Sequence, residues 1–263
     1  GDGDGTSNTR TLTINGSTNA AFYGLTINDP NATPANRDVF AVSGTLTVNG
    51  TLTAASGTLN ASTASNTIDA NASVSIGASG ILIAPASTGA SAFTVAGNWT
   101  NSGGTFTPSA GRVTLDGGSQ SLSGATTFYA LTKAVSSNAT LTLASSVEQK
   151  VTNDLVLTAA SGNLLTIASS GVPAAQLTLT AGGTQNISNV SVSNNDASGT
   201  GAVLPYSGVK LVARNTSTDG GGNTNWQFGA TTLTWDGSTS TDWNTASNWD
   251  LGLVPTAGDT AVI

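Results

Sequence analysis

Between Thr45 and Ser62 the chain reads TLTVNG, TLTAAS and GTLNAS. Each of these six-residue lines carries one Leu flanked by Thr or Asn, and each ends in Gly or a small polar residue. An apolar side chain at every second position over four to five residues predicts a short, half-buried strand. The Asn-Gly, Ala-Ser and Ser-Gly steps between the lines predict tight turns. No such line can bury itself. Stacked on similar lines, each buries its Leu and Val and pairs its backbone above and below.

The rest of the chain repeats the pattern. Arg10–Asn15, Phe22–Ile27 and Val39–Val42 read as strands, and Asp29–Arg37, with Pro30 and Pro34, reads as a protruding loop. Thr67-Ile68, Ser73–Ile76 and Gly80–Ala84 continue the ladder, with Ile81-Leu82-Ile83 expected to be buried on both sides. Ala92–Trp99, Gly104–Thr107, Arg112–Asp116, Thr140–Ala144, Leu155–Thr158, Leu164–Ala168, Gln176–Thr180, Ile187–Val192 and Val209–Ala213 follow. Phe128–Thr132 repeats Phe22–Thr26 with one replacement, and Leu157–Gly162 repeats Leu52–Gly57. Offsets of 106 and 105 residues suggest an internal duplication.

Three all-β architectures suit many short strands without helical crossovers. A parallel β-solenoid fits best, with two or three short strands in a coil of roughly 18–25 residues. Tandem β-sandwiches are the alternative, but they space their strands by about 8–12 residues. A propeller needs a period of about 40–50 residues, which is not seen. The expected organisation is an acidic Gly-rich linker over 1–9, a solenoid over 10–225 duplicated at about 115/116, and a Trp/Asp-rich cap or junction over 226–263.

Composition narrows the chemistry. Charged residues make up only 8% of the 263 and the net charge is −7, with seven Lys and Arg in all. So few cations disfavour binding to a phosphate backbone. There is no Cys, His or Met. Disulfides, thiolate chemistry and the commonest general base are therefore excluded. The missing Met predicts a processed or excised portion of a longer chain, and no apolar run is long enough for a transmembrane segment. Low charge and abundant Thr and Asn suit a secreted surface protein.

Two regions stand out as candidate sites. Asp2 and Asp4, in GDGDG, resemble the opening of a Ca²⁺ loop, although the twelfth position from Asp2 is Thr13 rather than the Glu an EF-hand needs. Four of the five Trp lie between Trp226 and Trp249, and from Asn215 onward there are five Asp and no Lys or Arg. Asp236, Asp242 and Asp250 lie among these tryptophans. One reading makes Trp243 and Trp249 a sugar-stacking platform, and the other makes the Trp core anchors and the Asp turn formers.

The pattern Trp235-Asp236-Gly237, Asp242-Trp243, Asn248-Trp249, Pro255 and Asp259–Ile263 resembles the opening of modules in large bacterial secreted surface and autotransporter-like proteins. Asn186–Phe228 is similar to the way such modules close. The resemblance implies tandem β-helical modules at the cell surface and an extracellular repeat protein without known chemistry. An opening pattern placed at the C-terminal side suggests head-to-tail association with another copy, or a junction to the next module of a tandem chain. The expected interface residues are Trp235, Trp243, Trp249, Pro255, Val262 and Ile263. The leading expectation is a non-enzymatic subunit of an extracellular filament or adhesin, without a cofactor apart from the candidate Ca²⁺ pair. The alternative is a carbohydrate-binding or carbohydrate-processing module with surface glycans as partners.

Overall fold

The computed structural model describes residues 6–13, 21–29, 31, 33–199 and 207–263. The fold is an all-β parallel β-solenoid. Helix among the described residues is limited to two single 3₁₀ turns, Pro34–Asn36 and Ala246–Asn248. The chain divides into two compact units, Gly1–Tyr129 and Ala130–Ile263. The sandwich alternative is excluded, because strand neighbours pair in parallel and arrive one coil later in the chain.

In the first unit the chain alternates between two sheets. One takes Thr9–Thr13, Val39–Ser43, Leu52–Asn60, Val74–Ile83, Trp99–Asn101 and Gln120–Ser123. The other takes Ala21–Phe22, Thr45–Val48, Thr67–Ala70, Phe93–Val95 and Arg112–Leu115. Leu52 opposes Val74, Val74 opposes Trp99, and Trp99 opposes Leu122. These steps take 22 to 25 residues, within the 18–25 expected from the sequence, while others in the unit range from 19 (Val39 to Thr58) to 30 (Thr9 to Val39).

Constant register turns the two-residue period of each strand into a ladder through the stack. Leu46, Ile68, Phe93 and Val113 form one such column, and all are buried. The opposite parity faces water with hydroxyls and amides that bond between coils. Thr67 donates to Thr45 (2.9 Å), Asn71 to Asn49 (3.0 Å) and Ser123 to Thr100 (3.2 Å).

The second and third hexads do not form separate strands. They run together as Leu52–Asn60, with a register shift between Ala54 and Ser56 and Gly57 at φ +80°. The next coil matches this corner with Gly80, where an added Cβ would lie 1.8 Å from the carbonyl oxygen of Ala54. The two strands expected over 73–84 are likewise joined as Val74–Ile83. Of the Ile81-Leu82-Ile83 run, expected to be buried on both sides, only Leu82 is buried, while Ile81 and Ile83 on the opposite face are half-buried. The loop after Ile27 is pinned back onto the same corner. Asp29 accepts from the Asn31 and Asp38 amides (2.9 and 2.5 Å), and the Ser56 hydroxyl donates to its carbonyl (2.6 Å).

The aromatic centre of this unit is Trp99, a fully buried residue. Its ring lies 4.8 Å from Phe106, 5.3 Å from Phe128 and 5.8 Å from Phe93. Its indole N–H donates to the Thr126 hydroxyl at 3.2 Å. The edge-to-face and tilted geometries are those aromatic quadrupoles favour.

In the second unit Ala139–Leu143, Leu165–Ser169, Val190–Ser193 and Thr218–Asp219 form one stack. Opposing pairs such as Leu165/Val190 and Ser191/Thr218 give coils of 25 to 27 residues. The twelve-residue strand Glu148–Ala159 carries two successors, Ala175–Leu179 on its first part and Thr184–Ser188 on its second. Leu211–Arg214 follows on Thr184–Ser188, and Trp226–Phe228 on Leu211–Arg214. Leu157, Ile187, Ala213 and Phe228 thus share an inward column.

The two copies of LTAASG differ locally. The first runs through the bulged strand Leu52–Asn60, whereas in the second the strand stops at Ala159 and Ala160–Gly162 lead into a turn.

Replacing Trp99 by Ala removes the shared partner of three Phe rings. A loss of about 3–5 kcal/mol in unfolding free energy is expected, read from urea denaturation followed by far-UV circular dichroism. A loss under 1 kcal/mol would show that the ring is not the packing centre.

Candidate functional site

The region that departs from the coil pattern is the Trp- and Asp-rich segment after Phe228. Gly229, at φ +84°, turns the chain out of the last coil. Thr232–Thr234 then pairs in parallel with Thr260–Val262 as a separate two-stranded sheet. Between these strands the chain makes a compact excursion centred on three indoles. Trp235 bridges Trp249 in antiparallel fashion, and their rings meet edge-to-face at 5.1 Å. Trp243 meets Trp249 edge-to-face at 4.6 Å and stacks on Trp235 at 6.0 Å with 13° between planes. The Trp249 indole N–H donates to the Trp243 carbonyl at 3.1 Å.

A buried amide holds the excursion closed. Asn248 has no exposed surface. Its Oδ1 accepts from the Thr239 and Ser240 amides (2.9 and 2.8 Å), and its Nδ2 donates to the Ser240 hydroxyl and the Asp242 carbonyl (3.0 and 2.9 Å). All four hydrogen-bonding positions of the side chain are filled. Asp236, Asp242 and Asp250 each accept from a nearby backbone amide, those of Ser238, Asn244 and Thr234. Their carboxylates shape turns rather than converging on one point.

The segment is fastened to the side of its own last coils. In Leu211–Arg214 the residues Leu211 and Ala213 face the coil interior, so Val212 faces outward. Val212 is nonetheless fully buried, because Leu233, Trp249 and Leu253 cover it, with Trp235 and Leu251 at the margin. Gly252, at φ +62°, fits against Gly183, whose carbonyl oxygen would lie 2.0 Å from an added Cβ. The Gln185 amide donates to the carbonyls of Lys210 and Leu251 (2.9 and 2.8 Å) and accepts from the Val212 amide (2.8 Å).

The final fastening is an ion pair. Arg214 donates to Asp259 at 2.7 Å and to the Val254 carbonyl at 3.1 Å. The same carboxylate accepts from the Thr256 amide and hydroxyl (both 2.8 Å) and the Thr231 amide (2.9 Å). Burial pushes the Asp259 carboxyl up. The Thr256 and Thr231 amides, the Thr256 hydroxyl and Arg214 outweigh that effect and hold it below the ordinary value of 3.8.

No family model, curated protein or solved structure matches this chain.

Of the six residues expected at an interface, Trp249 is buried inside the segment, and Trp235 and Pro255 are half-buried. Trp243, Val262 and Ile263 are 41%, 44% and 89% exposed. With Trp249 enclosed, Trp243 alone of the proposed sugar-stacking pair shows its ring to solvent. Asp2 and Asp4 lie outside the described residues, and among the described residues no cluster of three acidic side chains could hold a metal ion. A polar cleft of about 520 Å³ separates the segment from the last coil, with Lys210, Gln227, Thr232, Asp250 and Thr260 in its wall.

Sequence reasoning missed Asn248 and the Arg214–Asp259 pair as organisers. A signal for the pair was present: Arg214 is the last cation before a stretch whose only charges are Asp.

A carboxyl whose folded pKa lies below its unfolded one contributes stability that is complete above the unfolded value and is lost as pH falls through the folded value. Asp259→Asn is therefore expected to lower the urea midpoint at pH 7, with the gap to the unmodified protein narrowing below about pH 4. An equal gap at pH 7 and pH 3 would show that ionised Asp259 is not the fastening group.

Proposed function

We propose that this chain is a structural subunit of an extracellular bacterial filament or surface fibre that associates head-to-tail through its C-terminal segment. The observation that carries the reading is the set of open parallel edges. Among the described residues Thr9–Thr13 and Ala21–Phe22 each have one strand partner, as do Thr218–Asp219, Trp226–Phe228 and Thr260–Val262. Unpaired strand edges are templates for further strands. Contact between unlike ends propagates as an open filament wherever its rotation does not close a ring. A surface of Thr, Ser and Asn ladders with little charge suits a mechanical role. The proposed extracellular setting follows from that composition and from the likeness of Trp235–Ile263 to module openings in bacterial surface proteins.

Trp243 favours a second reading. Its exposed ring, stiffened by stacking on Trp235, offers a single sugar face for glycan binding.

Negative-stain microscopy of concentrated protein is expected to show unbranched fibres, with an axial reflection near 4.8 Å in diffraction from aligned samples. Monodisperse particles at every concentration would reject the filament reading. A glycan array tests the second reading: signals lost in Trp243→Ala support it, and an array blank for the unmodified protein rejects it.

A further inference from the structure

The two-stranded sheet of the C-terminal segment has the geometry of a new stack begun but not continued. Thr232 opposes Thr260, Leu233 opposes Ala261 and Thr234 opposes Val262. The step is 28 residues, close to the 25 to 27 of the stack that ends in Thr218–Asp219, although the step from Leu211 to Trp226 is only 15. Both strands run in parallel, and among the described residues Thr260–Val262 has a strand partner on one side only.

The free hydrogen-bonding groups can be named. The Thr260 amide donates to the Thr231 carbonyl and the Trp235 amide to the Val262 carbonyl (2.9 and 2.7 Å). In a parallel ladder alternate residues direct both backbone groups to the same neighbour. Thr260 and Val262 therefore serve Thr232–Thr234, and the N–H and C=O of Ala261 point to the open side. All three residues of this strand are exposed. Ala261 is a small residue in the column of Leu233, which is fully buried.

The first unit supplies a complementary edge. Thr9–Thr13 reads TRTLT, and its one strand partner among the described residues, Val39–Ser43, lies on its onward side. Its Thr11-Leu12-Thr13 is the same triplet as Thr232-Leu233-Thr234, the strand already paired with Thr260–Val262. Solvent-exposed large apolar residues concentrate in the C-terminal segment. Of the five among the described residues, Trp243, Val262 and Ile263 lie in the C-terminal segment and Tyr23 lies beside the Ala21–Phe22 edge strand; only Val172 lies elsewhere.

We infer that strand Thr9–Thr13 of a second copy adds in parallel to the open edge of Thr260–Val262, with Thr11 opposite Thr260, Leu12 opposite Ala261 and Thr13 opposite Val262. This rests on the head-to-tail reading above and specifies the strands that join. The ladder Thr232–Thr234 and Thr260–Val262 then gains a third parallel strand, as Thr45–Val48 and Thr67–Ala70 are followed by Phe93–Val95 within the first unit. Ala261 gains partners for both backbone groups, and Val262 is covered.

The absence of native cysteine makes the register directly measurable. Full-length Thr260→Cys protein is mixed under mild oxidation with Thr11→Cys protein carrying a size-shifting tag. Directly opposed residues on neighbouring strands are about 4.8 Å apart, within disulfide reach. A two-residue slip puts the Cα atoms about 8 Å apart, beyond that reach. The expected result is a mixed disulfide for Thr11→Cys with Thr260→Cys at least tenfold above that for Thr9→Cys with Thr260→Cys. Both variants are checked by circular dichroism, and the same mixtures are viewed by electron microscopy. Fibres without the register-specific disulfide overturn this strand pairing and leave the filament reading standing. Absence of both fibres and disulfide overturns the two together.

Discussion

The fold depends on parallel backbone pairing at constant register between consecutive coils. Each coil is too thin to enclose a core, and most of its strands are five residues or fewer, with one to three inward side chains. Stacking solves both problems at once: the amides and carbonyls of one coil are satisfied by the next, and inward apolar side chains meet other apolar side chains. The columns Leu46–Ile68–Phe93–Val113 and Leu157–Ile187–Ala213–Phe228 are this principle in the first and second units. Corners follow from the same demand. Where the backbone of one coil passes against that of another, as Gly80 does over Ala54, a side chain has no room.

The C-terminal segment is held by different physics. Its strands are few and its turns irregular, so indole packing and buried polar groups replace ladder pairing. Val212 shows how the two regimes meet. It occupies an outward position, opposite Gln227 of the next strand, and it is covered by Leu233, Trp249 and Leu253. Asn248 and Asp259 supply direction, since each bonds to several backbone groups outside the strands. The result is a segment clamped to its own unit that still leaves one strand edge open.

Much of this was legible in the sequence, because a period of two and small polar punctuation are local signals. Thr45–Val48 and Thr67–Ala70 are visible as alternation alone. The merging of the next two hexads into Leu52–Asn60 was not, because a Gly inside a bulged strand looks the same in sequence as a Gly that ends one. Glu148–Ala159 was hidden for another reason: Thr152, Asn153 and Asp154 interrupt the alternation where the strand passes from one successor to the other. In the C-terminal segment the Trp cluster drew attention, but which indole lies inside was not written in the residue type. Trp249 is enclosed because it is bridged to Trp235 and lies over Val212, whereas Trp243 lies on the outer side of the same cluster. Those are long-range facts set by the fold.

The steady advance per coil also has a bearing on how such a molecule changes size. A stretch one register step long can be doubled or removed, and the columns on either side still meet residues of the same kind. Single-residue insertions lack this tolerance, since they flip the inward set of a strand to the outside. The natural unit of variation is therefore the whole coil, and each unit's stack lengthens or shortens in increments of about 4.8 Å.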